Sequence, residues 1–403
     1  MKVLFVLPYV PSLIRVRPYN LVRHLASRHD VTVLATDSPE WLRHAEGLRA
    51  HCRDVQVVPL RPSAAARSCV EAAIRGEPLQ AAFCRSRELG RRLLALLERD
   101  FDLVHLEHLR AAHLADLIPE GTATLFDSVD CISLLQERTL LFSHSLRQRL
   151  VAALELNRTR SYEARLLRRF DRVAVTSPED RQALLSLEPR AEVAVLPNGV
   201  DLDYFRPRED PPEPATLVFS GKMSYHANVT ALLHFVRDIL PLIRRRHPDV
   251  RLRIVGSAPP AAVRALARDP AISVTGYLPD IREAVGRSTV AVCPVKVRVG
   301  IQNKILEAMA MALPVVCTRE AVQWLGARPG RDLLVADEPA EFADHVCRLL
   351  VDGGLRDEIG RAGRRYVEAH HRWEAAADRL EGLYREAVER RARRVAVATS
   401  QPC

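Results

Sequence analysis

The sequence predicts an α/β protein built from two doubly wound parallel sheets. Short apolar segments alternate with helical patterns along the 403 residues, as is typical of strands buried on both faces of a parallel sheet. Apolar residues make up 48% of the chain and aromatic residues only 5%, which suits an aliphatic α/β core. A proline-rich segment divides the alternation into two series. We therefore expect two Rossmann-like domains.

The first series of strands defines a predicted domain over residues 1–200. Its first strand is too short for a signal peptide, because Pro8 ends it and no small-residue cleavage site follows. Apolar residues recur at helical spacing between Leu146 and Arg169, which predicts a long amphipathic helix. The predicted strands are Val3–Leu7, Val31–Ala35, Val55–Leu60, Leu103–His105, Thr124–Phe126, Val173–Thr176 and Val193–Leu196.

The second series follows a predicted linker over residues 201–214. Prolines and acidic residues fill Pro207–Pro214, so this segment cannot continue a sheet or a helix. Residues 215–372 form the second predicted domain, and a final helix runs from Trp373 to about Arg394 with no strand after it. Such sheets bind ligands beyond the carboxyl ends of their strands, so we expect a cleft between the domains. The predicted strands are Leu217–Phe219, Leu252–Val255, Ile272–Thr275, Val290–Cys293, Pro314–Cys317 and Leu333–Val335.

Charge and cysteine content exclude several classes of protein. The net charge of +9 comes mostly from arginine, which predicts a solvated basic surface or attraction to anionic lipids and phosphorylated substrates. Aromatic residues for stacking bases are not interleaved with these charges, so nucleic acid is not an expected partner.

The eight cysteines lack metal-ligand spacing, which indicates reduced thiols. No segment has the roughly 18 uninterrupted apolar residues of a membrane span. We expect a cytoplasmic protein, with peripheral contact at the inner membrane face left open.

One stretch carries the strongest functional signal, a turn that feeds a helix and then a buried strand. Backbone N–H groups at the helix start, with Lys304 beside them, suit an anion. One turn later Glu307 can accept hydrogen bonds from paired hydroxyls, and a phosphate beside a diol describes a nucleotide. The alternatives are that Asn303 is an ordinary N-cap and that Glu307 faces solvent. The candidate nucleotide-binding residues here are Gly300, Ile301, Gln302, Asn303, Lys304 and Glu307.

Two further loops could contact a phosphate. Gly221 and Lys222 follow the first strand of the second series, and Asn228 precedes a helical pattern. Arg15 and Arg17 lie in the loop after the first strand of the chain, where their side chains could bind a phosphate. Their alternative is an ordinary pair of surface arginines.

Acid and base candidates follow two neighbouring strands of the first series. Glu107 and His108 follow one strand, while Asp127 and Asp130 follow the next. Each could orient a substrate hydroxyl or act as a general base, so we take His108, Asp127 and Asp130 as catalytic candidates. The alternative is that these groups cap the following helices. The Asp-x-Asp at residues 201–203 belongs to a turn, so we assign neither a metal nor a cofactor.

The stretch from Gly300 to Met311 resembles the nucleotide-sugar signature of the family-4 retaining glycosyltransferases, which have the GT-B fold. It is most similar to the sugar transferase branch of exopolysaccharide and PEP-CTERM systems. The resemblance implies that Glu307 binds the ribose hydroxyls and that the final helix returns to the first domain. Val299 stands where most of the family carries a second Glu, which the branch also tends to lack. Further matching segments are Pro197–Phe205, Phe219–Val229 and Arg372-Trp373-Glu374.

The resemblance implies a metal-independent enzyme that transfers a sugar from a nucleotide diphosphate, UDP-linked in our interpretation, to a hydroxyl acceptor with retention of configuration. The acceptor could be a glycan, a lipid-linked molecule or a small molecule. A UDP-sugar 2-epimerase of the same fold is one alternative. The other is a catalytically silent nucleotide-sugar-binding subunit, which Val299 and the glycine-free first loop suggest.

Overall fold

The computed structural model describes residues 1–13, 15–142, 146–223, 225–296 and 301–400. The chain forms two compact units, of which the first comprises Met1–Pro197 with Trp373–Cys403 and the second comprises Asn198–Arg372. The first unit thus ends at Pro197 and not at residue 200. Residues 201–214, predicted as a linker, belong to the second unit, because side chains such as Phe205 are buried in its core.

In the described part of the first unit, one parallel sheet has the strand order β3-β2-β1-β4-β5-β6-β7. The order reverses between β1 and β4, which is the doubly wound pattern. The strands are β1 (Lys2–Leu7), β2 (Asp30–Asp37), β3 (Asp54–Pro59), β4 (Leu103–Glu107), β5 (Ala123–Val129), β6 (Arg172–Val175) and β7 (Val193–Val195).

The helices of the first unit connect these strands. Two short 3₁₀ helices, at residues 39–45 and 112–117, lie among them. The α-helices up to β7 are α1 (Val16–Ala26), α2 (Glu46–Arg49), α3 (Pro62–Arg75), α4 (Leu79–Ala82), α5 (Arg87–Leu97), α6 (His108–Ala111), α7 (Ile132–Phe142), α8 (Leu146–Arg169) and α9 (Pro178–Leu187).

The described part of the second unit repeats the same winding, with the strand order β10-β9-β8-β11-β12-β13 and a reversal between β8 and β11. Its strands are β8 (Thr216–Ser220), β9 (Arg251–Val255), β10 (Ile272–Val274), β11 (Val290–Cys293), β12 (Val315–Cys317) and β13 (Leu334–Val335). Its helices are α10 (His226–His234), α11 (Leu240–Arg246), α12 (Ala261–Arg264), α13 (Arg282–Gly286), α14 (Asn303–Ala310), α15 (Arg319–Val322), α16 (Pro339–Val351) and α17 (Gly353–His370). The predicted α/β fold with two doubly wound parallel sheets is confirmed.

The final helix, α18 (Trp373–Ser400), extends beyond its predicted end at Arg394 and packs in the core of the first unit. Trp373 and Tyr384 are among its buried side chains, and the Tyr384 hydroxyl lies 2.8 Å from His105 Nδ1 on β4. Burial of large aromatic side chains explains how this segment joins a sheet whose strands all precede it in the chain. Within the described residues, no helix combines the length and apolar character that crossing a membrane requires.

Candidate functional site

Two glycines bring the carboxyl ends of β8 and β9 into close contact. Gly221 has φ +144° and Gly256 has φ +152°, a conformation that glycine adopts most readily. A Cβ atom on Gly256 would lie 1.7 Å from the Gly221 carbonyl oxygen. A Cβ atom on Gly221 would lie 3.2 Å from Lys304 Cε. The lack of a side chain at Gly256 therefore leaves room for the Gly221 carbonyl group. The lack of a side chain at Gly221 leaves room for the Lys304 side chain.

We expect Gly256→Ala to destabilise the protein by roughly 2–4 kcal/mol, because the added methyl group meets backbone and the φ angle is unfavourable for alanine. Urea unfolding monitored by circular dichroism measures the change. Gly353→Ala is the matched control, since there the nearest group is the flexible end of the Arg356 side chain at 3.4 Å. Equal unfolding midpoints for the two variants would contradict the interpretation of this contact.

Lys304 is the cation at the centre of the candidate site. Its Nζ atom donates a hydrogen bond to Asn228 Oδ1 and lies 4.8 Å from the centre of the Phe219 ring. Asn228 is held in turn, because its Nδ2 atom donates to the Lys222 carbonyl at 2.9 Å. Burial lowers the pKa of the Lys304 ammonium group from its ordinary value. The predicted residues Gly221, Asn228 and Lys304 are therefore brought together by strand β8 and helices α10 and α14.

The start of α14 differs from the ordinary capping alternative. Gln302 is the N-cap residue, and its side chain makes no capping hydrogen bond. Asn303 is already the first helical residue, and its Oδ1 atom accepts a hydrogen bond from Asn198 Nδ2 at 3.1 Å. The first N–H groups of a helix have no partner within it, so they suit an anion. Sequence reasoning gave Asn198 no site role, although the Pro197–Phe205 segment contains it.

Glu307 lies one turn along α14, half-buried. Within the described ranges, no hydrogen bond or ion pair to its carboxylate is present. Burial raises the pKa of Glu307 to about 7, while the Lys304 charge acts in the opposite direction. The helix buries its other face through Ile305, Leu306 and Met309. A carboxylate in this setting can accept hydrogen bonds from a ligand, as the sequence predicted.

The other residues predicted to bind the sugar donor lie near Lys304 and Glu307 in the chain or follow β8. The Lys222 side chain is exposed, and Ile301 is half-buried against the apolar core. Gln302 Oε1 lies 3.5 Å from Lys304 Nζ. Gly300 and Val299 lie outside the described residues. The described groups combine ammonium and amide donors with one carboxylate acceptor, which suits a phosphate together with hydroxyl groups.

Arg15 of the first unit is the N-cap residue of α1 and not part of an open loop. Its guanidinium forms an ion pair with Asp37 and donates to the Val10 carbonyl at 3.3 Å. The Tyr9 and Trp41 rings lie 4.7 and 5.2 Å from the guanidinium carbon. These contacts fix the Arg15 side chain in a half-buried position, where a donor role stays a prediction.

Arg17 lies inside α1 and is buried, so the expectation of a loop arginine was wrong in its location. Its Nε and Nη2 atoms donate to the two carboxylate oxygens of Asp127 at 2.9 and 3.1 Å, and Nη1 donates to the Leu196 carbonyl at 3.0 Å. Arg17, the predicted donor contact, therefore forms an ion pair with Asp127, a predicted catalytic carboxylate. Either residue would have to leave this pairing to contact a substrate.

The strand ends β4 and β5 carry the other acid and base candidates. His108 has φ +66°, a left-handed conformation that residues other than glycine seldom adopt, and such strain is found most often at functional sites. Burial lowers the pKa of His108 to about 3, so its imidazole is neutral, and its Nδ1 atom accepts a hydrogen bond from the Arg110 N–H. After the end of β5, burial and then the Asp180 charge raise the pKa of Asp130. The Asp130 carboxylate accepts a hydrogen bond from the Thr176 hydroxyl at 3.2 Å.

Three buried side chains of the first unit could in principle ligate a metal ion. His105, Glu107 and Asp127 offer ligand atoms within 4.8 Å of one another. The Arg17 guanidinium already occupies both oxygens of Asp127, and its positive charge opposes a second cation. Burial, and then the Asp127 charge, raise the pKa of Glu107, so a proton can neutralise the excess negative charge. We derive no metal-dependent step from this group.

Two family profiles match the chain. The one described as "Glycosyltransferase Family 4" matches residues 15–204, and the one described as "Glycosyl transferases group 1" matches residues 214–352. The chain belongs to the family-4 glycosyltransferases. For this family-4 chain, the resemblance inferred from the sequence is confirmed, while the exopolysaccharide branch stays a prediction.

A curated relative of this family-4 chain is the "GDP-mannose-dependent alpha-(1-6)-phosphatidylinositol monomannoside mannosyltransferase" of Mycobacterium tuberculosis, which is 30% identical over 223 residues. The match covers 49% of this chain and 57% of the relative, so the chain spans little more than half the relative's length. A second relative, "D-inositol 3-phosphate glycosyltransferase 1" of Catenulispora acidiphila, is 24% identical over 72% of this chain and 73% of its own length.

Solved structures share the fold of this family-4 chain. Sucrose-phosphate synthase from Thermosynechococcus elongatus superimposes with a TM-score of 0.69 at 16% identity, covering 96% of this chain and 99% of the synthase. The HepE protein of Anabaena, solved in complex with UDP, gives a TM-score of 0.63 at 15% identity over 95% and 99% of the two chains. At these identities the likeness concerns the fold, which is GT-B.

Proposed function

We propose that this protein is a retaining glycosyltransferase that binds a nucleoside-diphosphate sugar on its second unit and transfers the sugar to a hydroxyl acceptor. The observation that carries the proposal is the placement of Lys304, Asn228 and Glu307 around the start of α14. In this assignment Lys304 and the first N–H groups of α14 bind the diphosphate, and Glu307 accepts hydrogen bonds from the ribose hydroxyls. The relatives named as glycosyltransferases support the same class of reaction.

The proposed reaction needs no covalent intermediate on the protein. The bond between the anomeric carbon and the phosphate oxygen breaks, and the acceptor oxygen forms its bond on the same face of the sugar. The acceptor proton passes to an oxygen of the departing diphosphate. Lys304 would stabilise the negative charge that develops there, since a buried cation interacts strongly with a nearby anion. His108, Asp127 and Asp130 stay candidates for orienting the acceptor.

We propose a UDP-sugar as the donor, without metal or cofactor, and a cytoplasmic reaction. The HepE structure contains UDP, whereas the mannosyltransferase is named for GDP-mannose, so both nucleotides belong in the test. The comparisons do not favour the epimerase alternative. A silent binding subunit would bind the donor without consuming it, which separates it from an enzyme.

A donor screen by thermal unfolding tests the proposal. A nucleotide sugar at about 100 times its dissociation constant stabilises a protein by about 2.7 kcal/mol, which should raise the unfolding midpoint by roughly 5–10 °C. We expect this rise with UDP-sugars, and slow donor hydrolysis that EDTA does not abolish. Absence of any shift across UDP-, GDP- and dTDP-sugars would contradict the function. Turnover lost with EDTA and restored by manganese would contradict metal independence alone.

A further inference from the structure

The described part of the first unit exposes an unusual set of aliphatic side chains on α7 and α8, which we name the leucine face. It consists of four leucines and a valine within fourteen positions of the chain, each at least half exposed to solvent. Their exposed fractions are Leu141 73%, Leu146 79%, Leu150 62%, Val151 50% and Leu154 63%.

Helix geometry shows that this face points away from the core. Leu146, Leu150 and Leu154 are four residues apart, so they form one stripe along the first turns of α8. The opposite side of the helix is anchored, because Glu155 is buried and its Oε2 atom accepts a hydrogen bond from the Leu79 N–H at 2.6 Å. A surface helix normally turns its polar side outward, whereas the first turns of α8 turn leucine outward.

Two exposed aliphatic residues also lie on α3. Cys69 Sγ donates to the Leu79 carbonyl at 3.7 Å, so Leu79 connects α3 to the anchored side of α8. Two exposed residues of α3, Val70 and Ile74, are also four positions apart and have exposed fractions of 62% and 82%. Exposed aliphatic residues thus occur on α3 as well as on α7 and α8.

The charges beside the leucine face are positive. Arg147 and Arg149 are exposed on the same turns of α8, and neither forms an ion pair with any residue in the described ranges. The residues from Leu146 to Leu154 include no acidic side chain. A two-fold contact with a second copy would bring these arginines together around the apolar patch, which opposes self-association.

From this combination we propose that the leucine face docks on an anionic lipid bilayer. The leucines enter the boundary between head groups and acyl chains, while Arg147 and Arg149 extend to the lipid phosphates. Several aliphatic side chains and a basic net charge together supply the two contributions that hold an amphipathic helix at a membrane surface. The docking does not depend on the proposed transferase function.

Vesicle sedimentation of the full chain tests the proposal. We expect binding to vesicles of equal parts phosphatidylcholine and phosphatidylglycerol that weakens with salt. Replacing Leu146, Leu150 and Leu154 with serine should lower the partition coefficient by about tenfold or more, because the inserted apolar area is lost. Val351→Ser is the matched control, because this valine is 74% exposed but lies in the second unit. Its substitution should leave vesicle binding unchanged. Unfolding midpoints check that the serine variant folds.

The charge contribution has its own control. The double variant Arg147→Gln with Arg149→Gln should reduce binding to the anionic vesicles about tenfold. The control is Arg245→Gln with Arg268→Gln, which changes the net charge by the same amount at exposed sites of the second unit. This control should have little effect on vesicle binding. Equal losses in both pairs would mean that only net charge matters and would overturn the proposal. So would absence of vesicle binding by the unmodified chain, or a dimer that the serine variant disrupts.

Discussion

Replacing Arg17 with alanine is expected to destabilise the first unit by roughly 3–5 kcal/mol, because the substitution leaves the fully buried Asp127 carboxylate without its cation. The guanidinium donates to both carboxylate oxygens and to the Leu196 carbonyl, so three hydrogen bonds are lost together. Urea unfolding of the full chain, followed by circular dichroism, measures the loss. The transition of the first unit should move to lower urea, while that of the second unit stays in place.

Arg28→Ala is the matched control for this prediction. Arg28 lies between α1 and β2 and pairs with Asp378 and Glu381, but its side chain is 39% exposed, so the variant should lose only about 1 kcal/mol. Arg17→Met combined with Asp127→Leu should recover much of the stability, since replacing a buried ion pair by apolar side chains is often neutral. An Arg17→Ala variant as stable as the unmodified chain would show that Asp127 is solvated or protonated in the folded state.

The Arg17–Asp127 pair illustrates what the sequence could not predict. The strands were predictable because buried parallel strands produce short apolar segments that are visible locally, and each predicted strand overlaps an observed one. The pair joins residues 110 positions apart, and it depends on α1 beginning at Val16, so that Arg17 lies in a helix and not in the predicted loop. A single arginine before a proline carries no signal of such a partner, so Arg17 was interpreted as a donor contact.

The candidate donor site was more predictable because several of its determinants are close in the chain. Lys304 and Glu307 lie three positions apart on one helix, so the start of that helix, its lysine and its carboxylate together indicated an anion beside a diol. Partners from other segments were less visible. Asn198 lies 105 positions from Asn303, and Gly256 approaches Gly221 only after β8 and β9 have paired. These contacts follow from the order of strands in the sheet and not from any local pattern.

Glu307→Gln is expected to weaken nucleotide-sugar binding by roughly 10- to 150-fold without unfolding the protein. A hydrogen bond to a charged group contributes about 1.5–3 kcal/mol, and the carboxamide removes that charge at nearly the same volume. Calorimetric titration with the donor selected by the thermal screen measures the change. Glu341→Gln on α16, an exposed position of the same unit, is the control and should bind as the unmodified chain does. An unchanged dissociation constant for Glu307→Gln would remove this residue from the donor site.

The pH dependence of binding provides the sharper test of the same residue. Burial raises the pKa of Glu307 to about 7, so its carboxylate is ionised above this value and protonated below it. If the ionised form accepts the ribose hydrogen bonds, donor affinity should rise with pH below about pH 7, where the free carboxyl group is protonated, and level off above about pH 8. The diphosphate diester of a nucleotide sugar does not titrate in this range, so the change belongs to the protein. Glu307→Gln should remove the dependence. His226→Gln should preserve it, because burial lowers the pKa of that imidazole and so favours its neutral form. A pH profile that survives in Glu307→Gln would assign the titration to another group.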